Sequence, residues 1–416
     1  MLYFRESRFH PGNGRIPASL KTKFWRRVAF VICGLAAGLV IAEISLRFIF
    51  ADPESEAFRI WPPGLVQKFL PSKETMPGIS DTSVFSVNSM GFRGSEYSQG
   101  DQMRILVLGG STSECLYLDD DEAWPAVLEE ILNQYSGDGS IWVGNGGRSG
   151  YSSRHHVLQA IHLFPQHPEM DLIVIMAGVN DFLRFLEGRE NYNPVWEENE
   201  YLEKTFLVVP RNRYPAWFRR TAVWHLGRLA FRNMKSSFAD ENIQDESGDI
   251  YSKWRMARLT ARKSLDNLPD LSVPLSEYEE NLRRITTHAR KSKMKILFID
   301  QPVLWIANLE ARLDSLLCAG SDGDRIPESA YYSAAALESG MLQFNDVMRK
   351  VAVEEKTGFL SISDSLPKSD IVFYDDMHFN EYGSAMVAKI VARWIIANGY
   401  LHQPNGNGQF SMCNIQ

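Results

Sequence analysis

The apolar positions of this chain fall into two regimes. The first is one unbroken block near the N-terminus. Residues 28–42 (VAFVICGLAAGLVIA) carry no charge, and the apolar pattern continues through Ile44, Leu46, Phe48, Ile49 and Phe50. Only Glu43 and Arg47 interrupt it, and a spacing of four lets them pair on one helix face. The stretch 28–50 is long enough to span a bilayer about 30 Å thick. Arg5, Arg8, Arg15, Lys21, Lys23, Arg26 and Arg27 precede it, against the single acid Glu6. An excess of basic residues on the N-terminal side keeps that side cytoplasmic and sends the rest of the chain across. A cleaved signal peptide is the competing reading; the basic region is long for one, and no clean A-x-A site follows the apolar run. The expectation is therefore a retained signal anchor with a periplasmic or extracellular remainder.

The second regime is a series of short apolar runs separated by helical patterns. The runs are Arg104–Gly109, Ile141–Gly144, Asp171–Ala177, Met294–Asp300 and Gly358–Ser363. Each is nearly uninterrupted, as strands buried on both faces are. Helical periodicity predicts helices over Ala123–Tyr135, Arg154–Phe164, Ser276–Lys291, Tyr331–Thr357 and Glu381–Ala397. Ser276 and Glu279 have capping-box spacing at the start of the third. Strands alternating with helices imply right-handed βαβ units, a parallel sheet and a three-layer α/β/α domain.

Residues 51–85 read as a linker rich in turn signals (Pro53, Trp61-Pro62-Pro63-Gly64, Pro71, Pro77-Gly78). Ser86–Gly94 reads as a short strand and a glycine turn. An insertion of about residues 182–274 separates the third and fourth strands. It holds Trp196, Trp217, Trp224 and Trp254 with many arginines, has helical spacing at Trp224, Leu226, Leu229 and Phe231, and is acidic over Ala239–Asp249. It serves either as an aromatic binding wall or as packing beside the membrane. Residues 401–416 read as a flexible tail.

Composition narrows the function. A formal charge of −7 over 416 residues gives no electrostatic basis for nucleic-acid binding. The four cysteines (Cys33, Cys115, Cys318, Cys413) are scattered without a CxxC pair, which argues against a zinc cage or a thioredoxin-like motif.

Four segments carry chemistry, three of them just after strand ends, where open α/β sheets bind ligands. In Gly109-Gly110-Ser111-Thr112-Ser113-Glu114, two glycines let the chain turn and a serine opens a helix with its N–H groups unpaired. That arrangement suits a nucleophile whose own N–H holds an oxyanion, and equally a plain N-cap. In Asn145–Tyr151, a glycine-rich turn can aim the Gly150 N–H into a shared pocket. In Ala177-Gly178-Val179-Asn180-Asp181, Asn180 can offer a side-chain amide to the oxyanion while Asp181 caps a helix. In Tyr374–Asn380, Asp375 lies three residues before His378, so one turn can seat a carboxylate on the imidazole while the far nitrogen faces Ser111. Asp376 competes for that role. His155 and His156 lack metal-ligand spacing. Asp119-Asp120-Asp121-Glu122 tempts a calcium reading, but caps the following helix more readily. Cys115 reads as a small buried residue.

Together these segments resemble the signature blocks of the SGNH hydrolases, the GDSL-type esterases. Ser111, Gly150, Asn180 and His378 match in the family's order, and Asp375 with His378 meets its D-x-x-H. Val87–Gly94 also resembles a lead-in seen in membrane-anchored bacterial members. One departure stands: the usual Gly-Asp-Ser-Leu is here Gly109-Gly110-Ser111-Thr112. The resemblance covers residues 88–400 apart from the insertion, making 86–400 the hydrolase-like domain. It implies a flavodoxin-like five-stranded parallel sheet in the order 2-1-3-4-5. It also implies acyl transfer through a serine ester: Ser111 as nucleophile, His378 as base, Asp375 orienting it. The oxyanion hole is then the Ser111 and Gly150 N–H groups and the Asn180 amide, with no cofactor and no metal. The expected substrate is an ester-linked acyl group, acetyl among the candidates, on a cell-envelope or exported carbohydrate. An O-acyltransferase with the same triad and a catalytically silent carbohydrate-binding or assembly protein are the alternatives.

Overall fold

A computed structural model of the protein describes residues 18–49, 57–80, 82–137, 139–213, 216–228, 230 and 243–401. The tail from 402, the early basic residues Arg5, Arg8 and Arg15, the positions Leu229 and Phe231, and most of the acidic stretch after Ala239 lie outside the described residues or their described side chains. The chain forms two compact units. One comprises Met1–Ser55 and Arg211–Met234, the other Glu56–Pro210 and Lys235–Gln416.

In the first unit, the helix Ala18–Ile49 contains Lys23–Phe48, a segment long and apolar enough to cross a membrane. A signal sequence has the same character. Glu43 and Arg47 pair as their spacing predicts, with Arg47 Nε donating to Glu43 Oε1 at 2.6 Å.

The second unit is built on a five-stranded sheet of Met103–Gly109, Ile141–Asn145, Leu172–Met176, Lys295–Ile299 and Gly358–Leu360. All pairings are parallel, and the spatial order is second, first, third, fourth, fifth, as the family resemblance implies. The strands read as unbroken apolar runs because both faces are covered: Ile105–Leu108 and Leu172–Met176 are wholly buried. Each such aliphatic side chain contributes about 1.5–3 kcal/mol by leaving water. Trp124–Ser136 packs with Glu381–Ala397, while Ser153–Gln166, Ser272–Lys291 and Ala334–Glu354 form the other helical layer.

Two predicted helix starts move. The third helix begins at Ser272, not Ser276, because Asp270 accepts the Ser272 N–H and hydroxyl at 2.9 and 2.8 Å. Pro274 is tolerated there because a first-turn residue needs no N–H. Glu279 pairs with Arg283 and Lys350, so the capping box does not form. The fourth helix begins at Ala334, with the Ser333 hydroxyl accepting the Ala336 N–H. Tyr331 and Tyr332 belong instead to a strand, Ala330–Tyr332, that pairs with Lys263–Leu265 and Ser321–Asp322 in a second, three-stranded sheet.

Residues 57–80, within the segment read as a linker, are packed: Phe58, Ile60, Phe69, Met76 and Ile79 are buried. Val66–Phe69 pairs antiparallel with Ser83–Ser86, and Arg93 bridges Val87 and Asn145, adding the turn to the edge of the central sheet. Helix Val179–Gly188 covers the start of the predicted insertion, whose body adds the helices Glu198–Thr205 and Ile243–Leu259.

Candidate active site

Ser111 opens a four-residue helix, Ser111–Glu114, directly after the central strand Met103–Gly109. The helix stops at Cys115, which sits in the left-handed region at φ 54° and donates its N–H to the Ser111 carbonyl at 3.0 Å. Cys115 is buried, as expected, and burial pushes its thiol up to about 11. No nucleophilic role suits a thiol held protonated in this way.

What holds this turn is a residue to which sequence reasoning gave no role. Arg93 is buried, and its guanidinium donates to the carbonyls of Glu114, Cys115 and Leu118 at 2.7–2.8 Å and to Asp120 Oδ1 at 3.0 Å. Asn145, at the end of the next strand, donates its amide to the Ser113 carbonyl at 2.7 Å. The backbone around the serine is thus clamped from the sheet edge. Asp119 and Asp120 serve the same corner: they accept the N–H groups of Val84 and Ser86 at 2.8 and 3.0 Å. The helix that follows has Ala123 at its N-cap without a side-chain cap, which corrects the capping role expected of the acidic run. Those carboxylates satisfy the edge of the Ser83–Ser86 strand instead.

The fourth block comes to the serine. His378 Nε2 lies 2.6 Å from Ser111 Oγ, and His378 Nδ1 lies 2.6 Å from Asp375 Oδ2. The other Asp375 oxygen accepts the N–H groups of Met377 and His378 at 2.9 and 2.8 Å. Burial alone would raise the Asp375 carboxyl; the imidazole and these hydrogen bonds outweigh it, and the net displacement is downward. Burial likewise pushes His378 down, and Asp375 reverses the sign to a net rise. An ionised carboxylate only accepts, so Nδ1 carries the proton and Nε2 is left to accept from the Ser111 hydroxyl. Asp376, the competitor, points elsewhere. It accepts from Trp305 Nε1 at 2.8 Å and from the Cys318 and Ala319 N–H groups at 2.6 and 3.1 Å.

The second and third blocks close on the first. The Arg148 N–H donates to the Gly109 carbonyl at 3.1 Å. Gly150 adopts φ +77°, a left-handed conformation that favours glycine. Asn180 Nδ2 donates to the Tyr151 carbonyl at 2.8 Å, which spends one of its two protons and orients the amide. A Cβ placed on Gly110 would come within 2.4 Å of that nitrogen. With glycine at 110, where the usual block has aspartate, the Asn180 amide packs directly against the turn that carries Ser111. Asp181 is a cap, but of a neighbouring helix: it accepts the Ser153 N–H at 3.0 Å and the Ser153 hydroxyl at 2.5 Å. Burial pushes its carboxyl up to about 6.

Glu114 is a second residue whose role sequence reasoning missed, although it stands in the first block. Its carboxylate accepts the Ser149 N–H at 2.8 Å and also the Ser149 hydroxyl, tying the turn that carries Gly150 to the turn that carries Ser111. It is wholly buried, and burial raises its carboxyl against the pull of the Ser149 hydrogen bonds. His155 and His156 do structural work. His155 Nδ1 accepts the Ser152 N–H at 3.1 Å in a capping box, and His156 Nδ1 meets Gln159 Oε1 at 2.8 Å.

A small cavity opens beside Ser111 and His378, walled by Thr112, Cys115, Tyr117, Leu118, Tyr374 and Phe379. Tyr374 stacks on the imidazole with ring centroids 5.4 Å apart, and Tyr251, from the insertion, meets it edge-on at 6.4 Å. Of the insertion's tryptophans, Trp254 packs on Tyr251 and Arg325, and Trp196 on Tyr201 and Arg284.

The chain is similar to known proteins. An arylesterase of Vibrio mimicus is 33% identical over 81 residues, which is 20% of this chain and 39% of that protein. This chain thus matches well under half the length of that relative. Among solved structures, the acetylxylan esterase Axe2 from Geobacillus stearothermophilus aligns at 13% identity and a TM-score of 0.38, over 74% of this chain and 99% of that one. LAE5, an alpha/beta hydrolase enzyme from the metagenome of Lake Arreo, Spain, aligns at 12% identity and a TM-score of 0.38, over 73% of this chain and 98% of that one. The sequence model of the GDSL-like lipase/acylhydrolase family matches residues 107–386, a span that holds the Ser111, Gly150, Asn180 and His378 blocks, and the chain belongs to that family.

Proposed function

We propose that this protein is a serine esterase that removes ester-linked acyl groups, with Ser111, His378 and Asp375 as its triad. The observation that carries the reading is the continuous hydrogen-bonded series from Ser111 Oγ through the imidazole to the Asp375 carboxylate, with both steps at 2.6 Å. Ser111 Oγ attacks the ester carbonyl as His378 Nε2 takes its proton. The tetrahedral oxyanion is held by the Ser111 and Gly150 N–H groups and by the second N–H of Asn180 Nδ2. His378 then gives the proton to the leaving alkoxide, and water repeats the sequence on the acyl-serine. Asp375 fixes the tautomer and stabilises the imidazolium.

The substrate follows from two features. The cavity beside Ser111 is narrow and walled by aromatic rings, which suits a short acyl group such as acetyl. If the apolar N-terminal helix is an anchor with a cytoplasmic N-terminus, the site faces the side away from the cytoplasm, and this supports the reading. Acylated carbohydrate of the envelope or of exported polymers is the substrate class this favours. The Vibrio mimicus relative is an arylesterase, in keeping with ester cleavage.

The test is hydrolysis of p-nitrophenyl esters of increasing chain length by the full-length protein. Fastest release from acetate, lost in Ser111→Ala, supports the reading. Equal release by wild type and Ser111→Ala contradicts it. Acyl transfer to an added carbohydrate at the expense of free acid would replace hydrolysis by O-acyl transfer.

A further inference from the structure

The first unit contains an exposed aromatic surface that the esterase reading does not use. Residues 216–228 (AWFRRTAVWHLGR) carry three arginines and no acidic residue. Trp217 is 78% exposed, and Phe218, Trp224 and Leu226 are each about two-fifths exposed. The rings form a cluster: Trp217 meets Phe218 at 6.1 Å and Phe218 meets Trp224 at 5.3 Å, with the Arg219 guanidinium 5.8 Å over Trp224. Ala222 is buried, so the segment has an inner and an outer side.

We infer that this segment is a second membrane contact, seated at the boundary between headgroups and acyl chains and recognising an anionic lipid surface. The inference rests on the reading of Ala18–Ile49 as a membrane span. What carries it is Glu43. This acid interrupts the apolar run, and its two oxygens accept from Val223 N–H at 3.1 Å and from Arg47 Nε at 2.6 Å. The helical turn of the aromatic segment is therefore tied to the spanning helix. Glu43 lies five residues before Phe48, where the span ends. At a rise of 1.5 Å per residue, that is about 8 Å inside the end of the span, the depth of the interfacial layer.

The chemistry of the surface fits that depth. Tryptophan rings prefer the interface, where an apolar body and a polar N–H are both satisfied. An arginine side chain packs on such rings, as Arg219 does on Trp224, which suits a layer that is apolar on one side and charged on the other. A basic segment without acids is attracted to an anionic lipid surface. Left in water, the same cluster would be an apolar patch of the kind monomers avoid.

The test places a photoreactive benzophenone amino acid at Trp217, or at Leu39 within the span, in the full-length protein reconstituted in phosphatidylcholine–phosphatidylglycerol vesicles. After irradiation, adducts are identified by mass spectrometry, with unirradiated samples as background. The expected result is lipid adducts at both positions. Lipid adducts at 39 with none at 217, or protein adducts at 217 in their place, overturn the inference while leaving the span intact. An absence of lipid adducts at 39 overturns the reading of the helix as a span, and the inference with it.

Discussion

The Glu114 carboxylate accepts both the backbone N–H and the hydroxyl of Ser149, and so holds together two turns that are 35 residues apart in the chain. One turn presents Ser111 and the other Gly150. Removing the carboxylate strands a Ser149 N–H beside a buried void, at a cost of about 1–3 kcal/mol. Glu114→Ala should lower kcat on the order of 10–10²-fold with little change in KM, because it loosens the Gly150 turn, whose N–H is proposed to serve the transition-state oxyanion. Glu114→Gln, which keeps an accepting oxygen, should recover most of that loss. Steady-state kinetics on the folded fraction decides the matter; an unchanged kcat in Glu114→Ala would remove the positioning role.

The same reasoning applies to Gly110. A methyl group there would push the Asn180 amide away without disturbing the backbone, since a Cβ at 110 meets Asn180 Nδ2 at 2.4 Å. Gly110→Ala should therefore behave like Asn180→Ala, each losing about 10²–10³ in kcat. The double variant should lose little more than either single one, because both remove the same donor. Additive losses in a double-mutant cycle would separate Gly110 from Asn180.

The two neighbouring aspartates should part company. Asp375 holds the imidazole, and Asp375→Asn should lower kcat by about 10⁴-fold by stabilising the wrong tautomer. It should also move the pH profile. Asp375 raises His378 above its ordinary value, so activity in the wild type falls as pH drops through that raised value and the base becomes protonated. Without the carboxylate, burial dominates and the acid limb of kcat/KM should shift to lower pH, although the rate is small. In stability the pair has opposite limbs. The His378 contribution is complete below its ordinary value of 6.5 and is lost as pH rises through the raised one; the Asp375 contribution is present above 3.8 and is lost as pH falls through the lowered one. An acid limb that stays in place in Asp375→Asn would break the link between the two residues.

Asp376 faces Trp305, Cys318 and Ala319, so its loss is a matter of folding. Asp376→Ala leaves three buried donors without an acceptor, each worth about 1–3 kcal/mol. A fall in Tm is expected, with active-site reactivity per folded molecule retained. A variant that melts like the wild type but no longer reacts would give Asp376 the part assigned to Asp375.

How far the sequence was legible depended on the range of the interactions. The first four central strands stood out because burial on both faces makes each an apolar run, while the half-buried edge strand Gly358–Leu360 was marked by its apolar residues alone; the ends of the first three locate Ser111, Gly150 and Asn180. The pairing of Asp375 with His378 was visible because it lies within one turn. Helix starts governed by a nearby side chain were less legible: Asp270 draws the helix start back to Ser272, and Ser333 defers another past a strand that pairs with residues almost 70 positions away. The clamp by Arg93 and the Glu114–Ser149 link were invisible for the same reason. Each joins segments 21–35 residues apart through a side chain whose type alone gives no hint of its target.

The central claim is that Ser111 is made nucleophilic by His378. The most direct measurement is labelling of the folded protein with a serine-directed fluorophosphonate, located by peptide mass spectrometry and compared between wild type and His378→Ala. The account predicts a single adduct at Ser111 in the wild type and its near-complete loss in His378→Ala at equal folded concentration. Labelling of Ser111 at the same rate in both, or labelling at a different serine in the wild type, would contradict it.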